Sequence, residues 1–599
     1  MSTNHPENDK SKVDTPPESL GADHWDMAGD ISPCTVYRDA PGVMGRVTTP
    51  LGDLNFSNLY GAPASMARQL GRHSAADIRE GALPFLTKFM PDVVEALVPR
   101  LMAGTGSWLL ENWLDGRLRQ ALPGEYLKVL RAYGEGSGYE VDQVVVGQML
   151  WDIWALLARA PLSRVQKVAA RTRRHSPLLG SLSMVLPTEK AGPLHLRWFD
   201  NTCVDRWDRK TSVTFFHPDR GIPYVLVSSV GFLTGLPAGM NSAGLTLTVE
   251  PGGSGEVDLS GIPLGPAVHD ILSQAHSIEE AAAILRQQPS MTPWRYVLSE
   301  GDTGRAAVYN SSQGGEKVEL FDSPPFGVTG ADAQLPGGGI ERIARWQRCR
   351  RQVVDEIIKA WSPGGDDKVF DALQTITRPE NEQFVIPTQP LHSLSNVGAV
   401  VFEPAARRLW VAPGRAPVSR RWFVPMTLRS TDAKSGGGFD TRVRPIKPSG
   451  EWESEPGGRA MENLRHAYQL DLSGEDPERV LITLEYALAL DSKRPAFHIL
   501  AGLMALRSNR GKRAEGAFRK AINLLEDATH RAEVGVYLAW ALDLQKRRKA
   551  ARQLYSRLVT DPTVEPAVKE WARHGRRHRF RERHAQKLTI DFFLGAVLF

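Results

Sequence analysis

Beyond Pro177 the sequence changes texture, and this change most constrains the fold. Short apolar runs alternate with turn residues: "SLSMVLP", "LHLRWFD", "SVTFFHP", "YVLVSSV", "GLTLTVE", "RYVLSE", "RAAVYN" and "KVELFD". Each is too short for a stable helix and is bounded by Gly, Pro, Asn, Asp or Ser, as strands are. Two helical runs interrupt them, near 266–286 and 347–376, and the strand texture resumes at "VGAVVFEPAARRLWVAPG" before ending near residue 430. A chain region written this way must build large sheets. The expectation for 181–430 is an α+β core of two packed sheet layers with helices outside.

The flanks read differently. Residues 1–49 are expected to be disordered or extended: the first twenty are polar, with no apolar run of the kind a signal peptide or early membrane anchor needs. Residues 50–180 carry mainly helical spacing, and Asp142 in "GYEVD" is placed as an N-cap before a long apolar run. Residues 431–458 form a polar, Gly/Pro-rich linker or extended arm. Residues 459–599 are helical again and repeat. Gly502, Ala514, Phe518 and Ala521 recur 37 positions later as Ala539, Ala551, Tyr555 and Leu558, and "ERVLITLEYALALD" at 478–491 reads as the second helix of a degenerate earlier unit. The pattern resembles tetratricopeptide repeats, which implies a helical surface for a protein partner. The closing "LTIDFFLGAVLF" is too short to span a bilayer and is expected to be a packed final segment or a sticky contact.

Composition narrows the class. Apolar residues are 42% and charged residues 24%, as in soluble globular proteins. The cysteines, Cys34, Cys203 and Cys349, are too few for a disulfide framework, and no CxxC or HExxH spacing suggests a metal site. A reducing, cytoplasmic setting is the simplest expectation. The net charge of +5 is small; positive charge gathers at 171–175 and 573–587. The second cluster contains a single aromatic, Phe580, so it offers no stacking platform for nucleic acid and reads as a solvated helix face.

The chemistry-bearing stretch is "LLGSLSMVLPTEKAGPLHLRWFDN", 178–201. If the Gly180–Ser181 peptide is broken by the Ser181 hydroxyl, Ser181 is left with both a nucleophile and a free α-amine. That amine, with a pKa near 8, can act as base for its own hydroxyl. Gly180 tolerates the backbone distortion such a rearrangement needs. Sixteen and nineteen residues on, Arg197 and Asp200 lie on the return strand of the hairpin. Asp200 could orient the amine, and Arg197 could hold that carboxylate or tune the amine.

These features resemble the N-terminal nucleophile (Ntn) hydrolases of the choloylglycine hydrolase and acyl-CoA:6-aminopenicillanic acid acyltransferase (peptidase C45) type. The carriers are Arg197-Trp-Phe-Asp200, "GIPYVLVSSVGFLTGLPAGMNSAGLTLTVE", the closing "HSLSNVGAVVFEPAARRLWVAPGRAP", and upstream "NLYGAPASMARQLGRHSAADIR" and "YLKVLRAYGEGSGYEVDQVVVGQM", together spanning about 56–425. The resemblance implies an αββα sandwich and a zymogen that cleaves itself, with 50–180 as its small chain. It implies an amidohydrolase or acyltransferase using small N-acyl amides or acyl-CoA, without cofactor or metal. Asn241 falls on the family's oxyanion-hole asparagine. The chain departs from the pattern in having Ser181 where this branch has cysteine, and Thr329-Gly330 where it has Thr-Asn, with the Gly330 backbone or Asp332 as substitutes.

Competing residues fit less well. Cys34 is followed at the same offsets by Pro50 and Asp53, and Cys203 by Asp219 and Ile222. His392 has no partner spacing and reads as a core or surface histidine. The rival expectation for the whole chain is a catalytically inactive scaffold whose helical tail binds a protein.

Overall fold

The computed structural model describes residues 35–39, 42–49, 52–78, 81, 116, 119–120, 122–153, 180–189, 192–201, 203–235, 237–252, 258, 260–311, 317–321, 325–329, 338–362, 368–377, 391–428, 437–440, 442–448, 452–593 and 595–598. Cys34, Gly330, Asp332 and the 171–175 basic cluster lie outside them.

Strands β1 (Thr35–Asp39), β2 (Gly42–Thr49) and β3 (Gly52–Gly61) open the described chain, followed by helices α1 (Pro63–Ile78), α2 (Gly124–Ser137) and α3 (Val141–Gln148). The hairpin β4 (Gly180–Leu186) and β5 (Leu194–Asp200) leads to β6 (Lys210–Pro218), β7 (Tyr224–Ser229), β8 (Ala238–Asn241) and β9 (Leu245–Pro251). Then come α4 (Leu264–Gln274), α5 (Ile278–Gln287), β10 (Trp294–Glu300), β11 (Ala306–Ser311), β12 (Lys317–Phe321) and β13 (Phe326–Thr329). Helices α6 (Gly338–Ala360) and α7 (Lys368–Thr377) precede β14 (Asn396–Glu403), β15 (Arg408–Val411), β16 (Val424–Thr427) and β17 (Gly438–Phe439).

The strands form two sheets. One has ten strands in the order β1-β2-β3-β6-β7-β8-β9-β10-β11-β12; the other has seven, β13-β4-β5-β14-β15-β16-β17. All pairs are antiparallel except β3 with β6. Period-two alternation assigns the faces. Phe56, Val213, Phe215, Met240, Val400, Phe402 and Leu409 meet between the sheets. Leu182, Met184, Leu196 and Trp198 turn outward to pack under α6 and α7. Leu245, Leu247 and Leu298 turn outward to α4 and α5. The result is the mixed α+β arrangement expected, with helices on both outer faces.

Two expectations need correction. Strands β1 and β2 lie in the region expected to be disordered or extended, and β3 replaces the start of the segment expected to be mainly helical. β1 with β2 and β2 with β3 form local hairpins, and β3 then lies beside β6 more than 150 residues later. Asp142 is not an N-cap: Glu140 holds that position with extended backbone, and Asp142 lies in the first turn of α3, where an acid still favours the helix dipole. Part of the 431–458 stretch takes the second of its two readings, an extended arm. Gly437 exchanges two 2.7 Å hydrogen bonds with the Asn58 side chain, and β17 extends the smaller sheet.

The C-terminal unit consists of helices α8 (Pro456–Leu472), α9 (Pro477–Leu490), α10 (Pro495–Arg507), α11 (Gly511–Leu524), α12 (Ala528–Leu544), α13 (Arg548–Thr560), α14 (Pro566–Arg577) and α15 (Glu582–Ala585), then β18 (Thr589–Asp591) and β19 (Ala596–Leu598). The helices pack as successive hairpins, with the repeated small and aromatic positions buried. A Cβ on Gly502 would lie 2.4 Å from the Phe518 ring, so glycine sets that approach. The final segment is packed, as one of its two readings held: Phe592 and Phe593 pack on Tyr468, with ring centroids 5.8 and 4.9 Å away. On α8, Arg465 pairs with Asp205 and Gln469 donates to the Val204 carbonyl at 3.2 Å, anchoring the helices to the β5–β6 connection.

Candidate active site

The site follows from strand parity. On β4, Ser181 and Ser183 face the inter-sheet space while Leu182 and Met184 face the helices. On β5, His195, Arg197 and Phe199 face the same space, and on β9 Thr246, Thr248 and Glu250 face it from the opposite sheet. A polar layer therefore replaces the apolar one at this end of the sandwich, and all of it is buried.

Glu250 is its centre. The Ser181 hydroxyl donates to Oε2 of Glu250; the Ser183 hydroxyl donates to Oε1 at 2.7 Å, and Arg197 Nη1 donates to Oε1 at 3.0 Å. A carboxylate only accepts, so the direction of the remaining bonds is fixed. Thr248 donates to Ser183 at 2.7 Å, and must then accept from His195 Nε2 at 2.8 Å, leaving Nδ1 to accept from Ser299 at 2.8 Å. The network thus assigns the Nε2–H tautomer to His195. Burial, with Arg197 nearby, lowers its pKa to about 3, which keeps the imidazole neutral. Burial also pulls the Arg197 guanidinium below its usual value, opposed by Glu250 and Asp200.

The structure brings Ser181 and Arg197 together through Glu250 but sends Asp200 elsewhere. Asp200 is three residues beyond Arg197 and so points to the opposite face. There it pairs with Arg350 of α6 at 2.6 Å and accepts from Ser393 and Ser395, each at 3.1 Å. Burial raises its pKa, while Arg350 and the two hydroxyls lower it. Its backbone is nonetheless in register with Gly180, beside the bond expected to break. Thr329 pairs with Leu182, so β13 ends next to the same place.

Asn241 lies in a different layer. Its Nδ2 donates to the Leu272 and Ala275 carbonyls at 3.1 and 2.7 Å, and its Oδ1 accepts from Leu245 N at 3.0 Å. It closes the C-terminus of α4 on the outer face of the ten-stranded sheet, and the expected oxyanion donor is committed there. His392 is also committed: its nitrogens meet Ser419 Oγ at 2.8 Å and the Ile376 carbonyl at 2.9 Å, and burial keeps it neutral. Cys203 is buried and bonded to Asn201, and burial with Asp208 pushes its thiol well above the ordinary range.

Sequence reading missed Glu250. The available signal was its phase: Thr246, Thr248 and Glu250 alternate with Leu245, Leu247 and Val249 on a strand buried on both faces. Among the described residues no cluster of His, Cys, Asp or Glu could hold a metal ion, and no helix is long and apolar enough to cross a membrane.

No family model and no curated protein matches the chain. Among solved structures, the chain is similar to a penicillin V acylase from Agrobacterium tumefaciens, at 16% identity and a TM-score of 0.28, over 39% of this chain and 82% of that one. It is also similar to the Caenorhabditis elegans ortholog of the N-acylethanolamine-hydrolyzing acid amidase, at 13% identity and a TM-score of 0.30, over 37% and 93% of the two chains.

Proposed function

We propose that this chain is the precursor of a self-processing N-terminal serine amidohydrolase or acyltransferase acting on small N-acyl amides. The observation that carries the reading is the hydrogen bond from the completely buried Ser181 hydroxyl to the Glu250 carboxylate. A serine donating to a carboxylate has a base in place for its proton.

In processing, Ser181 Oγ attacks the Gly180 carbonyl carbon as its proton passes to Glu250. The Gly180–Ser181 C–N bond then breaks, with that proton returned to the departing nitrogen, leaving an ester between Gly180 and Ser181 Oγ. Water hydrolyses the ester, freeing the Gly180 carboxylate and a Ser181 with its own amine. In turnover the amine takes the hydroxyl proton while Oγ attacks the acyl carbonyl of the substrate, then delivers it to the leaving amine. Water or an acceptor amine releases the acyl group. Arg197 lowers the pKa of the amine by its positive charge, while Asp200 stays engaged with Arg350 on the opposite face. Asn241 takes no part, because its amide is engaged at α4.

The reading also accounts for the burial of Ser181, since a nucleophile sealed in the intact chain needs cleavage before it meets substrate. A panel of N-acyl amides tests it. Processed wild-type protein should release amine from at least one member and Ser181→Ala from none. A flat result with fully processed protein overturns the catalytic reading and favours the scaffold.

A further inference from the structure

Arg197 uses one end of its guanidinium on Glu250. Its Nη1 makes that bond, while Nε and Nη2 have no partner among the described residues although the side chain is only 2% exposed. Buried guanidinium N–H groups are almost always satisfied, so an orphaned pair calls for an acceptor. A small cavity of about 30 Å³ adjoins this side chain. Its walls include Phe199, Trp207, Ala238 and Val400, and Ser228, whose buried hydroxyl also has no partner among the described residues. Phe199 pairs in register with Ser181, so the cavity lies one strand away from the nucleophile.

Nε and Nη2 form one edge of the guanidinium, a two-pronged fork that matches the two oxygens of a carboxylate. Ser228 adds a third polar group; Thr211 also lines the wall but donates to the Asp208 carbonyl at 3.2 Å, and the remaining wall is apolar and aromatic. We propose that this cavity is a carboxylate-binding subsite, formed by the Nε/Nη2 edge of Arg197 and the Ser228 hydroxyl. Two sources supply such a group: the acid released when an acyl group is hydrolysed, or a carboxylate borne by the substrate. Only the choice of source rests on the proposed function; the binding itself does not.

The test therefore uses the full-length Ser181→Ala chain, which needs neither cleavage nor turnover. Thermal unfolding is followed as acetate is titrated at constant ionic strength against chloride, with acetamide as the neutral isostere. A ligand that binds only the folded state raises Tm in proportion to its occupancy. Acetate should raise Tm saturably and acetamide should not. Adding Ser228→Ala should weaken apparent acetate affinity about tenfold, the scale of one hydrogen bond to a charged group. Equal responses to acetate and acetamide, or acetate affinity unchanged by Ser228→Ala, would overturn the proposal. In processed wild-type protein, competitive inhibition by acetate assigns the released acid. A tenfold loss of kcat/KM on amidating a substrate's carboxylate assigns the substrate.

Discussion

Arg197 and Asp200 are three residues apart on one strand and serve opposite faces of the sheet. Arg197 bonds Glu250 at 3.0 Å between the sheets, and Asp200 pairs with Arg350 at 2.6 Å beneath α6. Each pair is buried on its own face, and Asp200 reaches Arg197 only by charge across the strand. Arg197→Met leaves Glu250 a buried lone charge and should cost roughly 3–5 kcal/mol, while adding Glu250→Leu should restore much of it. Asp200→Asn combined with Arg197→Met should depart from additivity by roughly 0.5 kcal/mol or more, as charge-coupled sites do. Urea unfolding of the single and double variants measures both.

Ser183 holds the other oxygen of Glu250, at 2.7 Å. Ser183→Ala should slow the appearance of processed chain about tenfold, the equivalent of one hydrogen bond to a charge. Ser181→Ala should abolish it. A time course of band intensities on a denaturing gel separates slowing from loss.

His195 predicts an acid sensitivity. Its folded pKa of about 3 lies below the usual histidine value near 6.5, so between these the unfolded chain binds a proton that the folded chain refuses. Stability is therefore lost as pH falls below about 6.5. His195→Gln, which can still donate one hydrogen bond and accept another, should remove about 2 kcal/mol of the stability difference between pH 7 and pH 5. Denaturant midpoints of both proteins at the two pH values give this difference.

The helical unit gives a paired prediction. A methyl group at Gly502 would sit 2.4 Å from the Phe518 ring, whereas one at Gly516 meets nothing within 4 Å. Gly502→Ala should destabilise by about 1–3 kcal/mol through overpacking. Gly516→Ala should stabilise by up to about 1 kcal/mol, the helix preference of alanine over glycine. Thermal unfolding monitored by far-ultraviolet circular dichroism reads both.

Much of the core was legible because its strands alternate locally. The β4–β5 hairpin and strands β6, β7, β9 to β12, β14 and β15 stand where short apolar runs put them, and each of the two expected helical runs holds a pair of helices, α4 with α5 and α6 with α7. Strands β1 to β3 were not read as strands although β1–β2 and β2–β3 are local hairpins; the pairing of β3 with distant β6, which fixes them in the sheet, leaves no local pattern. Ser181 and Arg197 were singled out by spacing, and both side chains bond Glu250. Their connector, Glu250, closes "GLTLTVE" like an ordinary polar strand end, and only its phase with two threonines marks it. Arg350 was hidden in the charge run "RWQRCRR", where a buried arginine looks like any solvated one. Asn241 has a turn sequence that fits either role, and the carbonyls at the end of α4 decide between them.

The central claim is that the Gly180–Ser181 bond is broken by Ser181. Intact mass measurement of the purified protein, under mild conditions and over time, tests it most directly. The account predicts that the 66.1 kDa chain is replaced by two, of 180 and 419 residues, the larger beginning at Ser181, while Ser181→Ala stays whole. A wild-type chain that remains a single 66.1 kDa species contradicts it.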